Sequence, residues 1–137
     1  MSDVLRTRWS EIGDKIVLLA EEFPAGEYDF RPAEGTRSFA EQLRHVAFWN
    51  DYVRESLAGK EPDGTANEIP AAKYRTKKDI LAALRKSFEG VSRALTARNG
   101  DAPLDTLVSF IEHNGEHYGQ MVLYCRMKGI VPPASRP

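Results

Sequence analysis

Residues 38–59 read SFAEQLRHVAFWNDYVRESLAG, and both ends and the middle of this stretch predict one α-helix. Ser38 and Glu41 have the spacing of a capping box, in which each side chain accepts the backbone N–H of the other residue at the start of a helix. Apolar residues recur at steps of three and four, the period of a helix with one buried face: Leu43, Val46, Phe48, Trp49, Tyr52, Val53 and Leu57. Gly59 is the predicted C-terminal cap, because glycine adopts a left-handed backbone at little cost.

Three further segments show the same period and predict three more helices. Their predicted limits are Asp3 to Phe23 for the first helix, Thr76 to the Asn99–Gly100 stop for the third, and Pro103 or Leu104 to Gly129 for the fourth. In the third helix, Asp79 is the expected capping partner of Thr76.

Two connections of different character separate these helices. Residues 24–37 are rich in glycine and proline, which is typical of a loop. The aromatic residues Tyr28 and Phe30 predict that this loop is ordered and packs as a lid across one end of the molecule. Residues 60–75 have no helical period and are long enough to span the bundle. The sequence therefore predicts an all-α four-helix bundle in one domain, residues 1–137, with a long crossover between helices 2 and 3.

Composition excludes several classes of protein. The chain has 137 residues, 42% of them hydrophobic, which is enough for one core without disulfides. Nineteen basic and twenty acidic residues are interspersed, so neither nucleic acid nor an anionic membrane surface is an expected partner. A single cysteine, Cys125, excludes an intramolecular disulfide and is expected to pack in the core. Without an apolar signal or membrane segment, the expected location is cytoplasmic.

The chain has only three histidines, and their placement is the main indication of function. His113 and His117 are four residues apart, so on a helix they differ by about 40° around its axis and both imidazoles can reach one divalent ion. His45, in the middle of the second helix, would complete a set of three ligands with an open position for chemistry. The alternative is that each histidine is an ordinary hydrogen-bonded core or surface residue.

Neighbouring residues allow more than one interpretation. Glu41 is either the capping residue alone or also a fourth ligand or general base. Gln120 either orients a water at the metal or bridges two helices. These two residues are the catalytic candidates. Gly115 and Gly119 weaken a helix, and the close approach of another helix would explain why they are there.

Four segments resemble the DinB superfamily over almost the whole chain. They are residues 24–32 (PAGEYDFRP), 38–45 (SFAEQLRH), 113–120 (HNGEHYGQ) and 129–135 (GIVPPAS). The resemblance implies a four-helix bundle with three metal ligands, which fall on His45, His113 and His117. Zn²⁺ or Ni²⁺ is the expected metal, and a set of three histidines also accepts Fe²⁺ and others. Tyr118 stands where many relatives carry arginine.

The resemblance also implies a range of functions. Relatives include thiol S-transferases that use bacillithiol or mycothiol, a mycothiol-dependent maleylpyruvate isomerase and proteins described as metal-dependent hydrolases, and homodimers are common among them. One hypothesis is therefore an enzyme that acts on a small molecule with a low-molecular-weight thiol or water as nucleophile. The other is a non-catalytic, stress-associated protein in which the ion ties two helices together. Both predict that metal affinity falls as the pH drops through about 6.5, where free imidazole gains a proton.

Overall fold

Four long helices make up most of the structure, a computed structural model in which residues 3–97 and 104–137 are described. They are α1 (Asp3–Glu22), α2 (Phe39–Leu57), α3 (Lys77–Ala97) and α4 (Leu104–Met127), and single 3-10 turns lie at Ala25–Glu27 and Pro133–Ser135. The described ranges contain no strand, which confirms the all-α class. None of their helices is long and apolar enough to cross a lipid bilayer. The predicted stop at Asn99–Gly100 and the alternative start at Pro103 lie outside the described residues.

The helix ends are set by local side chains, as the sequence predicts. The Ser38 hydroxyl accepts the Glu41 N–H at 3.2 Å, and the Glu41 carboxylate accepts the Ser38 N–H at 2.7 Å, so the capping box is complete. Past the ends of α2 and α4, Gly59 and Gly129 have φ values of 79° and 72°, in the left-handed region that favours glycine.

The crossover between α2 and α3 returns along α2, so these two helices run parallel. Within the crossover, the Ile69 N–H donates to the Arg44 carbonyl at 3.4 Å, which places the end of the loop near the start of α2. Farther along both helices, Asn50 bonds to Ser87. Each helix packs against two others, in the cyclic order α1, α3, α2, α4. Because α4 runs antiparallel to α2, its middle faces the first half of α2.

An aromatic cluster anchors the connector between α1 and α2, as expected from its aromatic residues. The rings of Phe23 and Phe39 stack with their centroids 3.8 Å apart, and Tyr28 packs edge-on against Phe39 at 5.2 Å. The Tyr28 hydroxyl donates to the Ala20 carbonyl at 2.5 Å. Cys125 is fully buried in the same core, which confirms its predicted packing role.

The outer face of α4 is not covered, and here the sequence interpretation was wrong. Gly115 and Gly119 were expected to mark the close approach of another helix. Both are exposed, and a Cβ atom added at either position would meet nothing within 4 Å. The two glycines face away from α1 and α2, the helices that α4 packs against, so nothing in residues 3–97 and 104–137 compensates for their cost to the helix.

Candidate metal centre

The three histidines converge because α2 and α4 are antiparallel. One ring nitrogen from each of His45, His113 and His117 lies within 4.8 Å of the other two. The Nε2 atoms of His45 and His113 are 3.1 Å apart. Two nitrogens bound to one ion at about 2.0–2.1 Å are themselves roughly 3.0–3.4 Å apart, so this spacing suits shared coordination. The predicted triad is therefore assembled in the fold and could bind one metal ion.

The crossover fixes the ring of His45. Its Nδ1 lies 2.8 Å from the Asn67 carbonyl. Because a carbonyl only accepts, Nδ1 carries the proton and Nε2 is left as the metal-binding nitrogen. Asn67 has φ 60°, a left-handed backbone that asparagine tolerates, and its side chain accepts the Trp49 indole N–H at 2.8 Å. One loop residue thus orients both His45 and the aromatic ring beside it.

A buried amide fixes the ring of His117. The Oε1 atom of Gln42 lies 2.7 Å from His117 Nδ1, and the Gln42 amide NH₂ donates to Gln120 at 2.7 Å and to the Tyr124 hydroxyl at 3.3 Å. The Tyr124 hydroxyl donates in turn to the Arg37 carbonyl at 2.6 Å. Gln42 is only 2% exposed, so these bonds hold its amide in one orientation. His117 therefore also carries its proton on Nδ1 and presents Nε2.

His113 is the least constrained of the three. It is half-buried, and its Nδ1 atom is itself buried without a hydrogen bond of ordinary geometry to any described residue, although the Asn114 side chain is close enough to raise the pKa of His113. Its ring packs against Phe110 at 5.7 Å and Trp49 at 6.3 Å between centroids. Of the three histidines, His113 is nevertheless the most exposed.

These tautomers suit a divalent cation. Because Nδ1 carries the proton in both His45 and His117, the Nε2 atom of each ring has a free lone pair. Both residues are less than a tenth exposed, so these lone pairs are buried. Buried acceptors that face one another cost free energy unless a proton or cation lies between them. Imidazole nitrogen is a preferred ligand of Zn²⁺ and Ni²⁺, so the donor set fits the metals implied by the sequence.

Burial keeps the imidazoles neutral. It lowers the pKa of His45 to about 4, against the hydrogen bond to Asn67, which raises it. Burial also lowers the pKa of His117 to about 3, and the charges of the other two imidazoles and Arg37 lower it further. The pKa of His113 is lowered by burial as well. Proton competition for the folded site therefore begins below the ordinary value of about 6.5 expected from the sequence.

The metal-free protein should lose stability as the pH falls from about 6.5 to about 4. In this window the unfolded chain takes up protons on its histidines while the folded chain, with its lowered pKa values, does not. Protonation therefore favours unfolding, and stability rises with pH across the window. Urea midpoints measured from pH 6.5 to pH 5, above the range of most carboxylates, test this. A flat profile would contradict it, and His117→Gln should make the slope shallower.

Neither of the two predicted catalytic residues bonds directly to an imidazole. The carboxylate of Glu41 bonds to Arg31 and to the Ser38 N–H, which together hold its pKa below the ordinary value although partial burial opposes this. Gln120 accepts the hydrogen bond from Gln42 and so bridges α2 and α4. Gln120 is exposed, and through Gln42 it is linked to His117.

Sequence reasoning missed Gln42 and Asn67. A signal for Gln42 existed, because it is a polar residue three positions before His45 on a helix face that is otherwise apolar. No comparable signal marks Asn67, since neither its left-handed backbone nor its distance from His45 can be seen in the sequence.

A cleft of about 930 Å³ lies beside the metal centre. It is bounded by the connector between α1 and α2, the start of α2, the crossover and the second half of α4. Its wall includes Arg31, Pro32, Ala33, Gly35, Thr36, Arg37, Glu41, Gln42, Glu68, Gln120, Leu123, Tyr124 and Met127. Gln42, Gln120 and Tyr124 thus face the cleft on one side and support His117 on the other.

Comparison with known families agrees with this geometry. No curated protein matches the chain. A family model described as the DinB superfamily matches residues 8–121, a range that contains α2, α3 and all three histidines. The match covers most of the chain, and the helical fold and three-histidine cluster are those that the resemblance implied. This protein therefore belongs to the DinB superfamily.

Proposed function

We propose that the protein is a metal-dependent enzyme that acts on a small molecule, with His45, His113 and His117 as ligands of a Zn²⁺ or Ni²⁺ ion. The observation that carries this proposal is the three-imidazole cluster itself. Among the described residues, the cluster contains no carboxylate or thiolate as a fourth ligand. Sites with three protein ligands leave a coordination position for an exchangeable molecule, whereas structural sites are usually closed by four.

Either of two reactions suits such a site. A bound divalent ion lowers the pKa of a thiol or water in the open position and so supplies a nucleophile for S-transfer or hydrolysis. The surrounding residues would orient the imidazoles and the substrate and accept a proton. Gln42 and Asn67 orient the imidazoles of His117 and His45, and the exposed amide of Gln120 can orient a polar ligand in the cleft. Glu41 is the candidate for accepting a proton within the cleft.

One observation favours the alternative, a non-catalytic metal-binding protein. His45 and His117 are only 6% and 7% exposed, and none of the three histidines forms part of the cleft wall. An ion held there would tie α2 to α4 even if no substrate reached it. The two functions therefore differ in one measurable property, the exchange of an external ligand at the metal.

Binding of a small thiol to the cobalt-loaded protein tests this difference. Cobalt(II) replaces zinc in many sites and gives a visible absorption band when a thiolate binds to it. We expect mercaptoethanol to produce this band in the wild type and not in a His113→Ala, His117→Ala double variant. A cobalt spectrum that thiol, azide and pH all leave unchanged would refute the enzyme proposal and favour the structural role.

Gln42 should control metal affinity without contacting the ion. Gln42→Leu keeps a similar volume but removes the acceptor for the His117 Nδ1 proton. We expect zinc affinity to fall about 10-fold to 100-fold, the usual effect of losing such a supporting bond. Competition with a chromophoric chelator measures this. Gln42→Glu, which keeps an acceptor in place, is the matched control and should retain affinity; equal losses in both variants would contradict the role.

The proposed function also implies an assembly, a location and a set of ligands for the protein. We propose a homodimer in the cytoplasm, with a small-molecule substrate and, for S-transfer, a low-molecular-weight thiol. Light scattering coupled to gel filtration gives the mass in solution, and a monomer at micromolar concentration would refute the dimer.

A further inference from the structure

We propose that the cleft beside the metal centre binds the organic part of the substrate and that Arg37 pairs with a carboxylate on it. The inference rests on the metal-dependent activity proposed above, and it names the class of molecule that the site accepts: a small organic acid.

Arg37 lies in the cleft wall, next to the residues that hold the rings of His45 and His117. Its carbonyl accepts the Tyr124 hydroxyl at 2.6 Å, and its Nε lies 3.3 Å from a carboxylate oxygen of Glu68. Glu68 follows Asn67, the residue that holds His45. The backbone of Arg37 is thus fixed beside Tyr124 and Gln42, which hold His117. Its side chain is fixed beside Glu68, the neighbour of the residue that holds His45.

The outer edge of the Arg37 guanidinium is available to a ligand. Its two terminal NH₂ groups have no hydrogen-bond partner among the described residues, and its side chain is 32% exposed. Two parallel N–H groups on a planar guanidinium match the two oxygens of a carboxylate. Arg31, the other cation in the cleft wall, is already engaged by the Thr36 carbonyl and by Glu41.

The local charge also favours an anion. Glu68 pairs with both Arg37 and Arg44; the Nε atom of Arg44 lies 3.9 Å from the second carboxylate oxygen of Glu68. One negative charge therefore faces two positive ones. Arg37 is joined to two of the histidines through short chains of contacts: its carbonyl through Tyr124 and Gln42 to His117, and its side chain through Glu68 and the adjacent Asn67 to His45. A carboxylate on Arg37 would therefore lie near the histidines.

The remaining walls suit a carbon skeleton. Leu123 and Met127, on the α4 side of the cleft, are 56% and 53% exposed, although residues of this type are usually buried. A cleft of about 930 Å³ is at the upper end of the range for small-molecule sites. A ligand with an acid group at Arg37 and apolar contacts along α4 would fill part of it.

Two thiols that differ only in the acid group test the proposal. Mercaptopropionate carries a carboxylate, and mercaptopropanol carries a neutral hydroxyl in its place. Both are titrated into the cobalt-loaded protein, and the thiolate band gives each dissociation constant. We expect wild type to prefer the acid, and Arg37→Gln to reduce this preference about tenfold, the loss of a charge-assisted hydrogen bond. Arg31→Gln is the matched control, because it removes a charge from the same cleft wall but should keep the preference.

Each outcome decides the question. If Arg37→Gln still prefers mercaptopropionate as strongly as wild type does, the acid chelates the metal directly. If Arg31→Gln loses the preference as much as Arg37→Gln does, a diffuse positive potential causes it. Either result overturns the role of Arg37. If neither thiol binds cobalt, the enzyme proposal fails. Arg37 is then judged by propionate added to the metal-free protein, which should shift the NMR signals of the Gln42 and Gln120 side-chain amides in wild type but not in Arg37→Gln.

Discussion

His45→Ala should lose its bound metal while keeping its helices. His45 is the only histidine on α2, so its removal leaves two imidazoles from a single helix, which would hold an ion far more weakly than three converging ones. We expect the metal content, measured by mass spectrometry on untagged protein, to fall from one equivalent per chain to almost none. The melting temperature of wild type should also drop on addition of a chelator, while that of His45→Ala should not change.

Asn50→Ala is the matched control for this experiment. Asn50 is fully buried on the same helix and bonds to Ser87 and Asn114, but to none of the imidazoles. The control variant should lose stability and keep its metal. Full metal content in His45→Ala would refute the ligand assignment, and loss of metal in both variants would mean that the ion responds to general loosening of α2.

Phe39→Ala should cause the largest loss of stability, about 3–5 kcal/mol. Phe39 is fully buried and its ring contacts those of Phe23, Tyr28 and Tyr124, so truncation opens a cavity where the connector, α1, α2 and α4 meet. Urea denaturation of the metal-free protein measures the change without a contribution from metal binding.

Phe48 offers a comparison within the same helix. It is only half-buried, so Phe48→Ala exposes less new surface and should cost clearly less than Phe39→Ala. Equal losses in the two variants would mean that the aromatic cluster around Phe39 is not the main anchor of the connector.

The sequence predicted most of the fold because the relevant signals are local. The capping box at Ser38 and Glu41, the glycine at position 59 and the apolar periods each involve residues within a few positions of one another. The crossover could be predicted from its length and lack of period. Its path back along α2 could not, because that depends on bonds such as Ile69 to Arg44, which join distant residues.

The three-histidine cluster was predictable for a different reason. His113 and His117 form a local pattern, and His45 was the only remaining histidine, so the family resemblance needed to place just one residue. Gln42 and Asn67 act through neighbours that only the folded chain brings together. The wrong prediction for Gly115 and Gly119 has a related cause, since a sequence cannot show which face of a helix its neighbours leave uncovered.

The uncovered glycines of α4 lie between and just after its two histidines. Each costs a helix about 1 kcal/mol relative to alanine, and no side chain in the part of the chain that the structure describes packs on them to offset it. The amide hydrogens of residues 115–119 in the metal-free protein should therefore exchange with solvent faster than those of neighbouring turns of α4. An ion bound by His113 and His117 would span this weak turn and slow that exchange, so the segment that captures the metal would also open locally to admit it.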